Sequence, residues 1–290
     1  MKRFTQIAIF LILCTNLSYS QRLVDFSPYS HYNNELCNPA FIGNEEGNKI
    51  GSFYYHFSNK YNKINKARIF SEFKTDSSKS CFGLKSSYDW KYNMENDWSI
   101  GLIYNYLIID KQKHKLKAGI IYSFNSISLN NNDKPVFSNF GIGLNYSLGS
   151  FSTNISMANI MEIAHKKKES YPDYATFNDD YNYLSLSYNF EVNESVNFIP
   201  TITYFRTNSL INLFNLEYIL FGLKFIRNHF FFMEAAIGYD TYKNAQIYPL
   251  KIGFIIKKKI EITYSSDIKL MYDFFFYEYL NIVHFLYKFN

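Results

Sequence analysis

Residues 139–148 read Asn-Phe-Gly-Ile-Gly-Leu-Asn-Tyr-Ser-Leu, and this stretch alternates with a period of two residues. Its even-numbered positions are apolar, whereas its odd-numbered positions are glycine, asparagine or serine. Because successive side chains of a β-strand point to opposite faces, the stretch predicts a strand with one apolar face and one small, polar face. The same alternation occurs at 98–106, 116–125 and 184–190.

The two faces of these strands favour a membrane barrel over a soluble sandwich. The apolar face is continuous and rich in rings, which suits lipid, and the other face carries Gly, Ser, Asn and Lys, which suits a hydrated or small-residue lumen. The composition agrees, since 29 Phe and 27 Tyr bring the aromatic fraction to 20% while charged residues fall to 19%. The mean hydropathy is −0.22. Beyond the N-terminal segment no run approaches ~18 apolar residues, which argues against membrane helices.

About 14 strands are predicted along the chain, most of them long enough to cross a bilayer at a tilt. They are 50–58, 64–74, 79–89, 97–108, 113–126, 139–148, 150–158, 181–190, 194–205, 210–226, 229–240, 247–256, 258–266 and 279–289. Short links follow the even-numbered strands, at 111–112, 149, 191–193, 227–228 and 257–258. Most links after odd-numbered strands are longer, especially 127–138, 159–180 and 267–278.

Alternating short and long links are typical of an antiparallel barrel with both termini in the periplasm. An even strand count lets such a barrel close, so that no strand edge is left unpaired in lipid. We therefore predict an all-β fold, a closed antiparallel transmembrane β-barrel over 49–290. The segment 21–48 is predicted to stand outside this barrel as a short N-terminal periplasmic strap.

The first 20 residues are predicted to be a signal peptide. Lys2 and Arg3 form a positive region, and the apolar run 7–13 is too short to cross a bilayer as a mature helix. The small-x-small triplet 18–20 fits a signal-peptidase site that leaves Gln21 as the mature N-terminus. A lipoprotein cysteine at Cys14 is the alternative, although the bulky Leu13 before it fits that cleavage poorly. The expected location is the outer membrane.

No residue pattern points to catalysis, a cofactor or a metal site. The six histidines lie at positions 31, 56, 114, 165, 229 and 284. None belongs to an HExxH or GxSxG motif. His284 is opposite in parity to Phe285 and is expected to face inward, where a lone histidine is usually a polar filler. Glu234 and Asp240 share the parity of Gly238 and are expected to line the lumen.

Charge and cysteine content give no support to nucleic-acid binding or to a required disulfide. The net charge of +5 is modest, and its lysines are spread through candidate turns, including the cluster at 166–168 in the longest outer loop. Solvated loops are therefore favoured over nucleic-acid binding. Cys37 and Cys81 permit a disulfide in an oxidising compartment, but nothing in their spacing demands one.

The segment 25–43 carries a family pattern. Asp-Phe-Ser-Pro-Tyr-Ser-His-Tyr at 25–32 is followed by Asn-Pro-Ala-Phe-Ile-Gly at 38–43. This order resembles the start of the PorP/SprF family of type IX secretion system membrane proteins, in which an aromatic-Ser/Thr-x-Tyr element precedes an Asn-Pro-Ala-aromatic-x-Gly motif. Residues 134–138 and 155–160 resemble the family's mid-chain pattern, so the resemblance covers essentially the whole mature chain.

The resemblance implies an outer-membrane component of the type IX system that supports delivery of large surface proteins, including gliding adhesins. It also implies partners, namely other type IX components, a periplasmic motor-linked ring among them, and secreted proteins with C-terminal targeting domains. A porin-like or fatty-acid-channel-like transporter is the alternative, and no enzymatic activity is expected.

The family motif itself is formed by Asn38, Pro39, Ala40 and Gly43. A structural turn leading into the barrel is favoured there over direct partner contact. Pro39 fixes its own φ, and Gly43 permits a tight or left-handed bend before the first strand.

Overall fold

The computed structural model describes residues 38–43, 47–58, 63–75, 79–91, 97–111, 113–126, 136–164, 179–209, 216–228, 230–241, 245–271 and 277–289. The strands formed by these residues are β1 (Asn48–Ser58), β2 (Lys63–Lys74), β3 (Ser80–Lys91), β4 (Asp97–Lys111), β5 (His114–Ser126), β6 (Val136–Leu148), β7 (Phe151–Ala164), β8 (Asp179–Tyr188), β9 (Phe190–Asn193), β10 (Val196–Ser209), β11 (Leu216–Arg227), β12 (Phe231–Asp240), β13 (Ala245–Ile256), β14 (Ile260–Met271) and β15 (Tyr277–Phe289). No helix among them is long and apolar enough to cross a membrane.

The strands form one closed antiparallel ring. The first strand pairs with the last, from Asn48 opposite Phe289 to Ser58 opposite Tyr279. Only Asn189 separates β8 from β9, and both pair with β10, so the two are segments of one barrel strand. The ring therefore has 14 barrel strands, and the predicted closed barrel is confirmed. Closure gives each strand a hydrogen-bonding neighbour on both sides, which a bilayer requires.

The connections are sorted between the two ends of the barrel as predicted. The termini end, which holds Asn48 and Phe289, has the connections 75–79, 112–113, 149–150, 194–195, 228–230 and 257–259. The opposite end has 59–62, 92–96, 127–135, 165–178, 210–215, 241–244 and 272–276.

Several strands are longer than the sequence indicated. β7 runs to Ala164 and β14 to Met271, so the long links predicted at 159–180 and 267–278 shrink to 165–178 and 272–276. The link predicted at 127–138 shrinks to 127–135, and β10 runs to Ser209 rather than to 205. The physical reason for these extensions is that ladder hydrogen bonds continue past the apolar stretch, where hydrophobic alternation no longer marks the strand. β11 is the exception, because it is shorter than predicted and begins at Leu216 rather than at 210.

The outward face of the barrel is apolar, as the alternation predicted. In β4 the outward side chains include Trp98, Ile100, Leu102 and Tyr106, which are exposed, while Ser99, Gly101 and Asn105 are buried. Exposed apolar side chains recur on β1, β2, β3, β11, β12, β13 and β15. A continuous apolar belt of this extent suits contact with lipid chains.

The inward face is less uniform than the sequence indicated. The small, polar inner face holds for most inward positions of β4, β5, β6 and β8, with Ile103, Ile121 and Tyr183 as exceptions. Other strands point rings and long apolar side chains inward more often. These side chains form two buried clusters, one of Phe53, Tyr55, Phe70, Ile282 and Leu286 and another of Tyr183, Phe205, Tyr218, Leu220 and Ile247. The lumen therefore has a small-residue wall and an aromatic wall.

The N-terminal segment differs from the expected strap in the part that the structure describes. Residues 38–43 lie against the inner face of the barrel, where Asn38 and Ala40 are fully buried. The prediction that 21–48 stands outside the barrel therefore does not hold for 38–43, because polar groups and glycines of the inner wall bind this turn. The predicted signal peptide at 1–20 and the part of the predicted strap at 21–37 lie outside the described residues.

We expect Leu102→Arg to destabilise the barrel by about 2–4 kcal/mol, the cost of a cation on the lipid face near mid-strand. Leu102 is 58% exposed on the outer face of β4. The measurement is the free energy of unfolding by urea titration in phospholipid vesicles, followed by heat-modifiable gel mobility. Ser150→Arg, in an exposed turn at the termini end, is the matched control and should leave this free energy nearly unchanged. Equal free energies of unfolding for Leu102→Arg and the parental protein would contradict the assignment of the outer face.

Candidate functional site

The residues of the family motif form a compact turn. Asn38 O accepts a hydrogen bond from the Phe41 N–H at 3.0 Å, which closes a four-residue turn. The Asn38 side chain also accepts the Ala40 N–H at 2.9 Å. Pro39 occupies the second position of this turn, where its fixed φ is favoured, and asparagine commonly bonds the backbone two residues on. The sequence therefore pre-organises 38–41 before any contact with the barrel.

Two inner-wall strands, β4 and β6, hold the start of this turn through side-chain to backbone hydrogen bonds. The Asn38 amide donates to Leu144 O on β6 at 2.9 Å. Asn105 on β4 donates to Ala40 O at 3.3 Å and also to Ile42 O. These carbonyls lie in a buried position, where an unpaired acceptor would be costly. The amide of Asn105 therefore replaces the water that these groups would otherwise bind.

Two glycines that face each other across β5 and β6 form a notch for the turn. Gly119 is opposite Gly143 in the ladder. A Cβ on Gly119 would lie 2.4 Å from Ala40 N, and one on Gly143 would lie 1.9 Å from Asn38 Oδ1. No side chain larger than hydrogen fits at either position while the turn is in place, so these glycines permit the close backbone approach.

The end of the turn is anchored by charged side chains. Gly43 adopts φ +69°, which glycine tolerates. Its N–H donates to Glu72 Oε2 at 2.9 Å, and its carbonyl accepts from Lys117 Nζ at 3.0 Å. Lys49 Nζ lies 3.7 Å from the same Glu72 oxygen, and both of these side chains are buried. The carboxylate of Glu72 thus joins the turn to the start of β1.

An apolar contact completes the site. Ile42 packs with Cys81, Ile103 and Ile121 in a buried cluster. A Cβ on Gly43 would lie 2.8 Å from the Cβ of Cys81, so the turn covers this cysteine directly. Cys81 is a free cysteine, and Cys37 lies outside the described residues.

The predicted lumen residues face inward on the other wall, away from the turn. Glu234 and Asp240 on β12 are buried, as their parity indicated. Glu234 pairs in the ladder with Lys251 of β13 and with Lys224 of β11. Both lysine ammonium groups also lie over the ring of Phe232, at 4.7 Å for Lys224 and 5.3 Å for Lys251. Two lysines therefore neighbour the single carboxylate of Glu234 in the ladder.

His284 is buried on the inner face of β15, as expected. Its ring stacks on Phe53 with centroids 4.0 Å apart, and its Nδ1 lies 3.9 Å from Glu261 Oε1. Neither ring nitrogen makes a hydrogen bond within the described part of the chain. The ring therefore serves here as a packed side chain of the aromatic wall.

The remaining histidines show no common site. His56 bonds Asn65 at 2.8 Å, and His114 bonds the Tyr146 hydroxyl at 2.9 Å. His31, His165 and His229 lie outside the described residues, as does the lysine cluster at 166–168. Within the described ranges, no group of three or more His, Cys, Asp or Glu side chains could hold a metal ion.

The sequence predicts the turn but not the groups that bind it. Nothing in the sequence indicates Asn105, Lys117 and Glu72 as site residues, and the alternation indicates only a small-residue lumen at Gly119 and Gly143. The available signal was the run of inward glycines on successive strands. It becomes meaningful only once the strand register shows that Gly119 and Gly143 are opposite each other.

Solved structures with a similar fold define the class of the protein. The structure described as the CymD monoaromatic hydrocarbon channel has a TM-score of 0.56 and 9% identity, over 89% of this chain and 93% of that one. A FadL homologue from Pseudomonas aeruginosa has a TM-score of 0.50 and 10% identity, over 87% of this chain and 93% of that one. At these identities the similarity concerns the fold alone. The chain is an outer-membrane β-barrel.

The sequence profile of the family described as "Type IX secretion system membrane protein PorP/SprF" matches residues 18–273. The chain belongs to this family and is an outer-membrane component of the type IX secretion system. The family assignment also implies interaction with other components of that system. No curated protein matches the chain in sequence.

We expect Gly119→Ala to displace the turn and expose Cys81. The added methyl group would meet backbone atoms of Pro39 and Ala40, which cannot move without the whole turn. In a Cys37→Ser background, the rate of maleimide labelling at Cys81 should rise about tenfold or more, the change that roughly 1.4 kcal/mol produces in an equilibrium.

Gly222→Ala is the matched control for this experiment. A Cβ on this inward glycine of β11 would lie 3.5 Å from the Cβ of Ala236, an ordinary contact, so labelling should stay at the parental rate. A folded Gly119→Ala barrel that labels no faster than the control would show that the notch does not hold the turn.

Proposed function

We propose that this barrel supports the export and surface delivery of large secreted proteins, gliding adhesins among them, as a sealed partner-binding component. Its cargo carries C-terminal targeting domains, and its outer face lies in outer-membrane lipid. The proposal assigns the chain no enzymatic activity. The single observation that carries the sealed role is the position of the family motif, which is bonded to the inner wall of the barrel.

The distribution of contacts supports a resident turn rather than a loosely held segment. Four strands contribute a hydrogen bond to it, through Glu72, Asn105, Lys117 and the Leu144 carbonyl. Each is made to a backbone or amide group of the turn, so the contacts depend on its conformation. On the opposite wall the inward rings of Phe205, Tyr218 and Phe232 are almost fully buried. Such an interior favours a closed barrel over a wide aqueous channel.

A porin-like or fatty-acid-channel-like transporter is the second candidate function. It is favoured only by the similarity to the two barrel structures above, and at 9% and 10% identity that similarity does not extend to ligands. A transporter must also offer its solute a path past the turn at 38–43. The secretion role therefore has the stronger support.

Deletion of this chain should remove its cargo from the cell surface. We expect the abundance of secreted proteins with C-terminal targeting domains to decrease at the cell surface and to increase inside the cell. Complementation with the intact gene should restore surface delivery. The measurement is quantitative proteomics of shaved cells against whole cells. Intact surface delivery together with reduced uptake of a solute would instead support the transporter.

Asn105→Ala should convert a silent barrel into a conducting one. The substitution removes the donor to Ala40 O and Ile42 O, and leaving buried carbonyls unpaired costs about 1–3 kcal/mol. The measurement is single-channel conductance in planar bilayers, where the parental protein should show rare openings and the variant frequent ones.

Asn154→Ala provides the control for the conductance measurement. Asn154 is also a buried inward asparagine, but it accepts a hydrogen bond from Asn145 within the wall itself, at 2.7 Å. Its loss should not change conductance. Steady conductance by the parental protein would overturn the sealed role.

A further inference from the structure

The rim of the barrel at the termini end carries a polarised set of charges. Going round the ring, the successive connections β13–β14, β2–β3 and β4–β5 flank the start of β1. They present an arc of exposed lysines, called here the basic arc: Lys257, Lys258, Lys259, Lys79, Lys111 and Lys113. Among the described residues of the arc, Asp110 is an exposed acidic residue, next to Lys111. The turn joining β9 to β10 instead presents the exposed Glu191 and Glu194, and Arg227 at the end of β11 is an exposed basic residue beside it.

The β4–β5 hairpin carries its part of the arc beyond the neighbouring strand. The ladder between β3 and β4 stops at Ser80 opposite Tyr106, whereas that between β4 and β5 continues to Lys111 opposite His114. A β-bulge interrupts this extension between Leu107 and Ile109. Ile108 and Ile109 are both exposed there. The tip therefore offers an apolar contact beside its charges, as protein interfaces commonly do.

The β13–β14 turn holds its lysines at a cost to the backbone. Lys257 and Lys258 have φ of 50° and 58°, and Lys259 N–H closes the turn on Ile256 O at 3.0 Å. Asparagine and glycine are the residues that such a turn favours, because side chains with a Cβ are strained in the left-handed region. Two lysines at the two strained positions place positive charge at the tip where turn chemistry alone would not.

We propose that the basic arc is the docking surface for an acidic face of a periplasmic component of the secretion system. This inference rests on the proposed function, with the termini end facing the periplasm. Charge complementarity gives the partner an acidic strip opposite the arc and a basic patch opposite Glu191 and Glu194, so the polarised rim fixes one rotational orientation. A second copy of the barrel is not the occupant, since copies in one membrane point the same way and their rims cannot face each other.

Lys257→Asn combined with Lys258→Gly is the decisive variant. It removes two charges and supplies the residues that the turn favours, so the barrel should become more resistant to urea while it loses its partner. Loss of binding in a stabilised barrel cannot be a folding defect. The matched control is Lys166→Gln with Lys167→Gln, which changes the net charge by the same amount in the connection 165–178 at the opposite end of the barrel.

The readout is zero-length carbodiimide coupling in intact cells, which joins a lysine amine to a carboxylate only at ion-pair distance. We expect crosslinked peptides between arc lysines and Asp or Glu of another type IX component. Co-purification of that component should fall roughly threefold to tenfold in the Lys257→Asn, Lys258→Gly variant and hardly in the control. It should also weaken as the salt concentration rises from about 0.05 to 0.5 M.

Two results would overturn the inference. One is full co-purification of type IX components by the arc variant. The other is binding of the arc to anionic lipid alone. In that case the parental protein would be enriched in phosphatidylglycerol vesicles over phosphatidylcholine vesicles, the arc variant would lose this enrichment, and no protein crosslinks would form. Either result leaves the proposed function standing if deletion of the chain still removes surface cargo, so the two failures are distinguishable.

Discussion

Hydrogen-bond closure of the backbone is the constraint on which this structure depends. Lipid offers no donors or acceptors, so each N–H and C=O at membrane depth needs a partner strand. Pairing of β1 over its full length with β15 satisfies this need and closes the ring. Lipid also requires the outer face to be apolar. Polar and charged side chains are therefore confined to the inner face and to the rims. The turn at 38–43 and the polarised rim are the two places where this chain uses that freedom.

Inside the ring, packing and polarity divide the lumen into two unlike walls. Small side chains on β4, β5 and β6 leave room for the backbone of the turn at 38–43. The amide of Asn105 and the ammonium group of Lys117 donate hydrogen bonds to its carbonyls. Rings such as Phe205 and Phe232 fill the other side, with lysine–ring contacts among them. A turn that contributes its own internal hydrogen bonds can therefore be held without strain in the sheet. The family motif is explained by this fit, because asparagine, proline and glycine each meet a distinct geometric need.

Much of the architecture follows from the sequence, and the failures have definite causes. The alternation at 139–148 fixed the strand and its faces, and parity placed Glu234 and His284 inside. Phe53, Tyr54 and Tyr55 are three aromatic residues in a row, so no two-residue period could tell which rings face lipid. The binding site for the turn was invisible for another reason. It depends on register, which brings Gly119 opposite Gly143, and on contacts between residues up to 106 positions apart.

The position of the turn has a consequence for the order of assembly. Its described hydrogen bonds reach β2, β4, β5 and β6, and none requires a strand after β6. The receiving surface is thus complete in the N-terminal half of the chain, while β15, which must meet β1, is the last strand in the sequence. A partly paired sheet can already capture the turn, and the ring then shuts around a segment that is in place. The turn at 38–43 therefore does not need to enter through the open end of a completed barrel.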